Sequence, residues 1–249
     1  MPKWSDFGNI WTTLRELDVN AIRDEAERPL KIACIGHESA LDELERLLHS
    51  GANRYGASVN PLEVIPLAQA ANRAAAVGNA DMLILAVDVR RTLTTAENEA
   101  FGRLENLALP FLVVLFFGER MPSSQGSLPP MVAARTFAIA DPSAMDAADR
   151  LAAALLNRLP GELHLSAARR LPGLRATFAR ELMGSVAFTN ATYALASGLP
   201  EQIPIVSVPF AAADILVLTK NQALLVYKLA LAYGAPPDFQ ARIREVVPV

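Results

Sequence analysis

Cysteine and histidine are nearly absent from this sequence. It contains one cysteine, Cys34, and three histidines among 249 residues. A single cysteine excludes an internal disulfide and is typical of a protein in a reducing cytosol. Cys34 lies in the apolar run 32–35, where a buried structural thiol is expected. His37, His49 and His164 are too scattered along the chain for ligand-like spacing, so no metal site is predicted.

The sequence also lacks an excess of positive charge and a targeting signal. Its 23 Lys and Arg residues face 26 Asp and Glu residues, for a formal net charge of −3, and no basic stripe stands out. Nucleic acid is therefore not expected as a partner. The N-terminal stretch has no secretory pattern, because Lys3 is its only early positive residue and polar residues interrupt the apolar ones before residue 30. We expect a cytoplasmic protein.

Long uninterrupted apolar runs are missing too, although hydrophobic residues make up 52% of the chain and allow a substantial core. The densest runs are 203–218 and 223–232. Prolines and Asp214 interrupt the first run, and Lys228 interrupts the second. Neither reaches the roughly 18–20 clean apolar residues of a transmembrane helix. Two interpretations remain: a helical hairpin packed on the rest of the protein, or a surface for shallow membrane association or a partner.

Strand and helix patterns alternate between residues 29 and 161. Strands are predicted at 30–35, 63–67, 82–87, 111–116 and 135–140, and helices at 39–49, 68–76, 94–107 and 144–159. The runs 82–87 and 111–116 are continuously apolar, which is typical of central strands in a parallel sheet covered on both faces. Ser39 is expected to cap the first of these helices, and Thr94 or Thr95 the third. The pattern predicts a doubly wound, mostly parallel α/β sheet.

A helical segment precedes this α/β domain. Residues 1–28 predict an amphipathic helix with Trp4 and Trp11 on its apolar face. Such a helix either packs on the domain behind it or lies at a membrane interface. Few lysines accompany the two tryptophans, which disfavours strong binding to anionic lipid.

Residues 162–249 show no convincing strand and predict an all-helical, apolar C-terminal domain. The residues 220–222 (Lys220, Asn221 and Gln222) are expected to form a polar break between two helices. Tyr233 and Gly234 predict a helix C-terminus with glycine at the C′ position. Asp214 is expected to be either a buried, paired carboxylate or a partner contact.

The first strand-to-helix turn is the usual phosphate site of such a sheet, because backbone N–H groups and the helix dipole face an anion there. A Walker A loop would be G-x-x-x-x-G-K-[ST], but residues 36–43 are G-H-E-S-A-L-D-E. Gly36 is present, whereas Leu41, Asp42 and Glu43 replace the second glycine, the lysine and the magnesium-binding hydroxyl. Repulsion between these carboxylates and a triphosphate would weaken binding by an energy on the order of kilocalories per mole. Tight binding of Mg-GTP in the usual pose is therefore not expected.

The order of elements resembles Era-like GTPases. Residues 79–88, NADMLILAVD, are similar to the family's "aDlvlfVvD" strand, and residues 93–99, LTTAENE, to the helix start after it. Residues 110–119, PFLVVLFFGE, resemble the strand that ends in the guanine-reading N-K-x-D motif, with Phe116 and Phe117 in place of Asn and Lys and Glu119 in place of Asp. No D-x-x-G switch motif occurs between residues 52 and 80. The resemblance implies a P-loop GTPase-like fold with degenerate motifs.

The C-terminal region resembles a bacterial domain of unknown function that is commonly fused to Era-like GTPase domains. Residues 209–234, PFAAADILVLTKNQALLVYKLALAYG, are similar to its apolar segment with an acidic residue, its L-T-x-x-Q-like turn and its helix ending in Tyr-Gly. Residues 180–182 and 190–191 resemble its upstream helix. The resemblance implies association with the inner face of a bacterial plasma membrane.

Together these features predict a pseudo-GTPase without catalytic residues or cofactor, which acts as a regulatory or scaffolding protein through its C-terminal helices. The expected partner is a protein, either a true GTPase or a second copy of the chain, with peripheral membrane contact as a further option.

The alternative is a GTP-binding protein, or an enzyme that binds a small molecule or a cation at an altered site. Its site would lie at the carboxyl ends of the strands. The acidic residues that could form it are Glu38, Asp42, Asp88, Glu119 and Asp141.

Overall fold

The computed structural model describes residues 17–51, 55, 59–73, 77–105, 109–118, 136–198 and 207–246, and the statements below concern these residues. A five-stranded parallel sheet has the order β2-β1-β3-β4-β5. Its strands are β1 Ile32–Gly36, β2 Leu62–Pro66, β3 Met82–Asp88, β4 Phe111–Phe116 and β5 Thr136–Ile139. The α-helices are α1 Asn20–Glu27, α2 Glu38–Leu48, α3 Thr95–Glu105, α4 Ala147–Leu156, α5 His164–Arg170, α6 Arg175–Gly198, α7 Ser207–Ala232 and α8 Phe239–Val246. Short 3-10 helices span Leu67–Arg73, Gly161–Leu163 and Pro172–Leu174.

The sheet is covered on both faces, so the predicted doubly wound α/β architecture is confirmed. Successive residues of a strand point to opposite faces. Ile32 and Cys34 of β1 therefore belong to a first core with α2 and α4, whereas Ala33 and Ile35 belong to a second core with α3 and the 3-10 helix Leu67–Arg73. The helices after β1 and β3 lie on opposite faces, which places a topological switch point between these two strands.

The strands agree with the sequence-based prediction to within two residues at each end. β1, β3 and β4 are buried along their whole length, as continuous apolar runs require, and the edge strand β2 is only partly buried. Cys34 is buried as expected, and burial raises the pKa of its thiol. Such a thiol is mostly protonated near neutral pH and therefore a poor nucleophile.

The predicted cap of the first crossover helix is wrong. Helix α2 begins at Glu38 and His37 occupies its N-cap position, without a side-chain cap hydrogen bond. Ser39 instead lies in the first turn and donates its hydroxyl to Asp88 at 2.7 Å. The hydroxyl was available for capping, but the buried carboxylate is the stronger acceptor.

The predicted N-terminal helix is shorter than expected within the described residues. Residues 17–19 are not helical, and α1 begins at Asn20. Arg170 of α5 donates to the carbonyl oxygens of Ala26 and Glu27 and so satisfies the last turn of α1. Trp4 and Trp11 lie outside the described residues.

The C-terminal helices extend the core on the first face of the sheet by packing on its helices. That core includes Leu165 of α5, Leu174 of the 3-10 helix Pro172–Leu174 and Tyr227 of α7, together with Ile84 of the central strand β3. Arg169 donates to the terminal carbonyl oxygens near the end of α7, at Leu231 and at Ala235, both at 2.9 Å. Burial of this region thus depends on both apolar packing and a satisfied helix end.

The predicted break at residues 220–222 is wrong, because α7 runs through it without interruption. Asn221 donates its side-chain amide to the Asn190 side-chain oxygen on α6 at 2.7 Å, and Lys220 and Gln222 are exposed. These polar side chains face the neighbouring helix or water, so they do not interrupt the helix. None of the described helices is both long and apolar enough to span a membrane.

The predicted end of that helix is confirmed. Gly234 has a φ of +88°, and the N–H groups of Gly234 and Ala235 donate to Leu231 and Ala230 at 2.9 Å. This pair of bonds is the Schellman arrangement that favours glycine at C′.

Gly36 lies opposite Ala86 of β3, and a Cβ atom there would overlap the Ala86 carbonyl group. We expect Gly36→Ala to lower the free energy of unfolding by about 2–4 kcal/mol, because rigid backbone has to shift. Gly161→Ala is the matched control, since a Cβ atom at Gly161 meets no atom within 4 Å. Urea unfolding followed by far-ultraviolet circular dichroism measures both, and equal stability of the two variants would contradict this account.

Candidate functional site

The candidate site lies at the switch point, where the carboxyl ends of β1 and β3 meet. Only His37 separates the end of β1 at Gly36 from the start of α2 at Glu38. The His37 N–H donates to the Ala86 carbonyl oxygen at 3.1 Å, and Ala40 and Leu41 donate to the His37 carbonyl oxygen. The turn is therefore one residue long and already tied to the neighbouring strand.

His37 is a buried, neutral histidine with a defined tautomer. Only 3% of the residue is exposed, and the Asp88 N–H donates to its Nδ1 at 3.1 Å. Burial, reinforced by the positive charge of Arg91, lowers the pKa of His37. Because Nδ1 accepts a hydrogen bond, the neutral ring carries its proton on Nε2.

Asp88 is the centre of the hydrogen-bond network. Its carboxylate accepts bonds from the Ser39 hydroxyl at 2.7 Å, from the Arg90 guanidinium at 2.7 and 3.0 Å, and from the Arg90 N–H at 3.0 Å. Burial by itself would raise the pKa of Asp88, but these hydrogen bonds outweigh it and lower the pKa from 3.8 to about 2. The site therefore holds a buried carboxylate with its own internal cation.

Arg90 also stacks on an aromatic ring. Its guanidinium carbon lies 3.6 Å from the centroid of the Phe117 ring, a distance typical of a strong cation–π contact. Phe117 directly follows β4 and has a φ of +67°, in the left-handed region that bulky residues rarely adopt. A backbone conformation of this cost persists only where its surroundings impose it, and here it places the ring beneath Arg90.

Glu97 connects the network to α3. Its Oε2 accepts bonds from the Thr94 N–H at 2.7 Å and the Thr94 hydroxyl at 3.0 Å, and the Glu97 N–H donates back to Thr94 at 3.3 Å. This is a capping box, so Thr94 is the cap of the two residues, Thr94 and Thr95, that the sequence left open. Glu97 Oε1 lies 3.6 Å from His37 Nε2, slightly too far for a hydrogen bond.

In this arrangement the charge of Asp88 is balanced by Arg90, and Ser39 is not aligned with a histidine base. Ser39 donates its hydroxyl to Asp88, whereas a hydroxyl activated as a nucleophile would donate to a histidine nitrogen. Within the described ranges, no group of three or more His, Cys, Asp and Glu residues could hold a metal ion.

The acidic residues predicted for the phosphate turn do not join the Asp88 network. Asp42 is exposed on α2, and Glu43 pairs with Arg46 of the same helix at 2.7 Å. Among the carboxylates proposed for an altered site, Glu38 is exposed and Asp141 accepts bonds from Ser143 in the turn after β5. Glu119 lies outside the described residues.

The predicted interaction residues of the C-terminal region take separate positions. Tyr233 is partly exposed, and the Arg175 guanidinium lies 5.7 Å from the centroid of its ring. Lys220, Asn221 and Gln222 lie on α7 as described above. The side chain of Asp214 lies outside the described part of that helix.

Sequence reasoning did not assign a role to His37, Arg90 or to the contact made by Phe117. His37 directly follows β1, Arg90 follows Asp88 at the end of β3, and Phe117 follows β4. The carboxyl ends of neighbouring parallel strands meet at one edge, so position after a strand was the signal that would have found all three.

Comparison with known proteins adds no assignment. The sequence matches no protein-family model and no curated protein. The functional argument therefore starts from the geometry of the switch point.

Asp88→Asn tests the charge of the network. The folded-state pKa of Asp88 is about 2, below its ordinary value of 3.8, so the ionised carboxylate stabilises the fold above about pH 4 and this contribution is lost as the pH falls towards 2. We expect Asp88→Asn to cost about 1–2 kcal/mol at pH 7, allowing for screening on the solvent side of Arg90.

The difference between wild type and Asp88→Asn should shrink as urea unfolding is repeated from pH 4 downwards. Asp42→Asn, at an exposed carboxylate of α2, is the control and should change stability by no more than about 0.5 kcal/mol. A gap between wild type and Asp88→Asn that stays constant from pH 7 to pH 2.5 would refute the ion pair.

Proposed function

We propose that this chain is a pseudo-GTPase: a non-catalytic regulatory or scaffolding protein that acts through its C-terminal helices. The observation that carries the proposal is the one-residue turn between β1 and α2. A Walker A loop places four residues between its two glycines so that successive N–H groups surround a phosphate. A single residue whose N–H already donates to Ala86 offers no comparable loop.

The environment of Asp88 supports the same proposal. A carboxylate at this strand end could help to bind a magnesium ion, but here Arg90 binds it through two side-chain hydrogen bonds. The guanidinium adds positive charge beside the carboxylate, so it opposes a cation. Magnesium-dependent nucleotide binding would have to displace this pair.

The residues at the end of β4 also support the pseudo-GTPase proposal. In the resemblance to Era-like GTPases, Phe116 and Phe117 stand where Asn and Lys read the nucleotide. Phe116 is fully buried in the first core, and the Phe117 ring lies beneath Arg90. Neither side chain offers a hydrogen bond to a guanine ring.

The C-terminal helices supply the candidate contact surface. Between Glu181 and its end at Gly198, α6 contains no charged residue, yet most of its described side chains there are exposed. Phe188 and Leu195 are 75% and 76% exposed. The two residues lie two turns apart on one side of the helix, and exposed apolar side chains without charges among them are typical of an interaction surface. We take a protein as the partner, either a second copy of the chain or a true GTPase, with membrane contact as the competing possibility.

Calorimetric titration tests the loss of nucleotide binding. We expect GTP, GDP and ATP, with and without magnesium, to bind no tighter than about 1 mM, because the turn lacks a loop for phosphate. A small GTPase with an intact Walker A loop, titrated in parallel, is the positive control. Micromolar binding of any of the three nucleotides would reject the pseudo-GTPase assignment.

The double variant Phe188→Ser and Leu195→Ser tests the α6 surface. We expect the wild-type sedimentation coefficient to increase with protein concentration through self-association, and the variant to remain monomeric with unchanged stability. Met145→Ser is the matched control, because Met145 is fully exposed in the turn before α4. Co-sedimentation with phosphatidylethanolamine–phosphatidylglycerol vesicles in place of self-association would assign the surface to membrane. A wild type that neither self-associates nor binds vesicles would count against the surface.

A further inference from the structure

A cavity of about 580 Å³ opens on the second face of the sheet, between the 3-10 helix Leu67–Arg73 and α3. It is a half-open cleft, and its volume lies within the range of roughly 300–1,000 Å³ that small-molecule sites occupy. A cleft of this size beside the switch point has room for a small organic molecule.

The walls of the cavity are mainly apolar and come from rigid elements. Leu67 and Ala70 line it from the 3-10 helix, Val77 from the following segment, and Ala100 and Leu104 from α3. These side chains also belong to or pack against the second core, so the walls are held in place by the sheet. An apolar wall fixed in this way fits the hydrocarbon part of a small molecule.

Glu97 is the polar group that the cavity shares with the switch point. It lines the cavity, and its carboxylate is mostly shielded from water, with 16% of the side chain exposed. Burial alone would raise the pKa of Glu97, but the N–H and hydroxyl of Thr94 outweigh it and lower the pKa, with His37 and Arg91 acting in the same direction. Thr94 occupies Oε2, and Oε1 is left facing His37 Nε2 beyond hydrogen-bond distance.

The other charges on the cavity wall balance each other. Glu99 and Arg103 lie one turn apart on α3, 3.8 Å from each other, and both side chains are mostly exposed. Being paired and solvated, they contribute little attraction for a ligand. Among the described residues of the cavity wall, Glu97 therefore carries the shielded charge.

We propose that this cavity binds a small, mainly apolar primary amine, whose ammonium group donates to Glu97 while its hydrocarbon part fills the space between the 3-10 helix and α3. The ammonium group supplies the positive charge that a shielded carboxylate favours, and a charge-assisted hydrogen bond is roughly twice as strong as a neutral one. The site does not depend on the nucleotide question, because its walls and its carboxylate lie outside the one-residue turn.

The test uses three compounds with the same carbon skeleton: 2-(1-naphthyl)ethylamine, 2-(1-naphthyl)ethanol and the carboxylate 1-naphthaleneacetate. Each is titrated into the full-length protein at pH 7 by calorimetry, with ligand-observed NMR as a second readout. We expect the amine to bind with a dissociation constant near or below about 1 mM, the alcohol about tenfold more weakly, and the carboxylate more weakly still.

Two glutamate variants separate the proposed anchor from general surface charge. Glu97→Gln should weaken the amine about tenfold or more without changing alcohol binding. Glutamine also completes a capping box, so this variant keeps the start of α3. Glu99→Gln removes a carboxylate from the same cavity wall and should leave the affinity for the amine within about twofold of wild type.

A shape variant keeps the proposal testable if Glu97→Gln folds poorly. Ala100→Phe places a ring in the cavity and should abolish binding of the amine. Melting temperatures of all variants show whether a lost signal is lost folding. Equal affinity for the three compounds, full amine affinity in Glu97→Gln, or binding retained by Ala100→Phe would each overturn the proposal.

Discussion

The close approach of β1 and β3 at Gly36 is the constraint on which the rest of the site depends. The absence of a side chain lets Gly36 lie against the Ala86 carbonyl group, and α2 can then begin after one further residue. This places His37 directly beside Asp88, whose N–H binds the imidazole. A longer turn would start α2 further from the strand ends and leave room for a phosphate. The short turn instead brings protein groups into that space.

The two faces of the sheet differ in how many helices pack against them. On the first face, α2, α4, α5 and the buried parts of α6 and α7 form one continuous core that extends to Phe239. The C-terminal helices thus extend this core, and the mostly exposed part of α6 begins beyond Phe178 and Ala179. On the second face, the described cover is α3 and one 3-10 helix, and the cavity lies there.

Much of the architecture could be predicted from the sequence, because local patterns determined it. Continuous apolar runs identified β3 and β4, the threonines at 94 and 95 marked a helix start, and Gly234 marked a helix end. Two features depended on distant partners and were missed. The polar residues around Asn221 suggest a break until Asn190 is known to lie opposite, and Ser39 suggests a cap until Asp88 is known to lie within reach.

The Asp88–Arg90 pair neutralises a buried carboxylate at the carboxyl end of β3. A carboxylate that is 2% exposed would be costly to bury alone, and in a phosphate-binding site a metal ion could supply the opposing charge. Here the cation is Arg90, which follows Asp88 by two positions in the chain. The Phe117 ring packs against its guanidinium group. One face of Arg90 remains in water, so the pair avoids part of the desolvation cost of a fully buried ion pair. An internal cation of this kind balances the charge of Asp88 with the protein's own residues, so the carboxyl end of β3 is stabilised from within the chain.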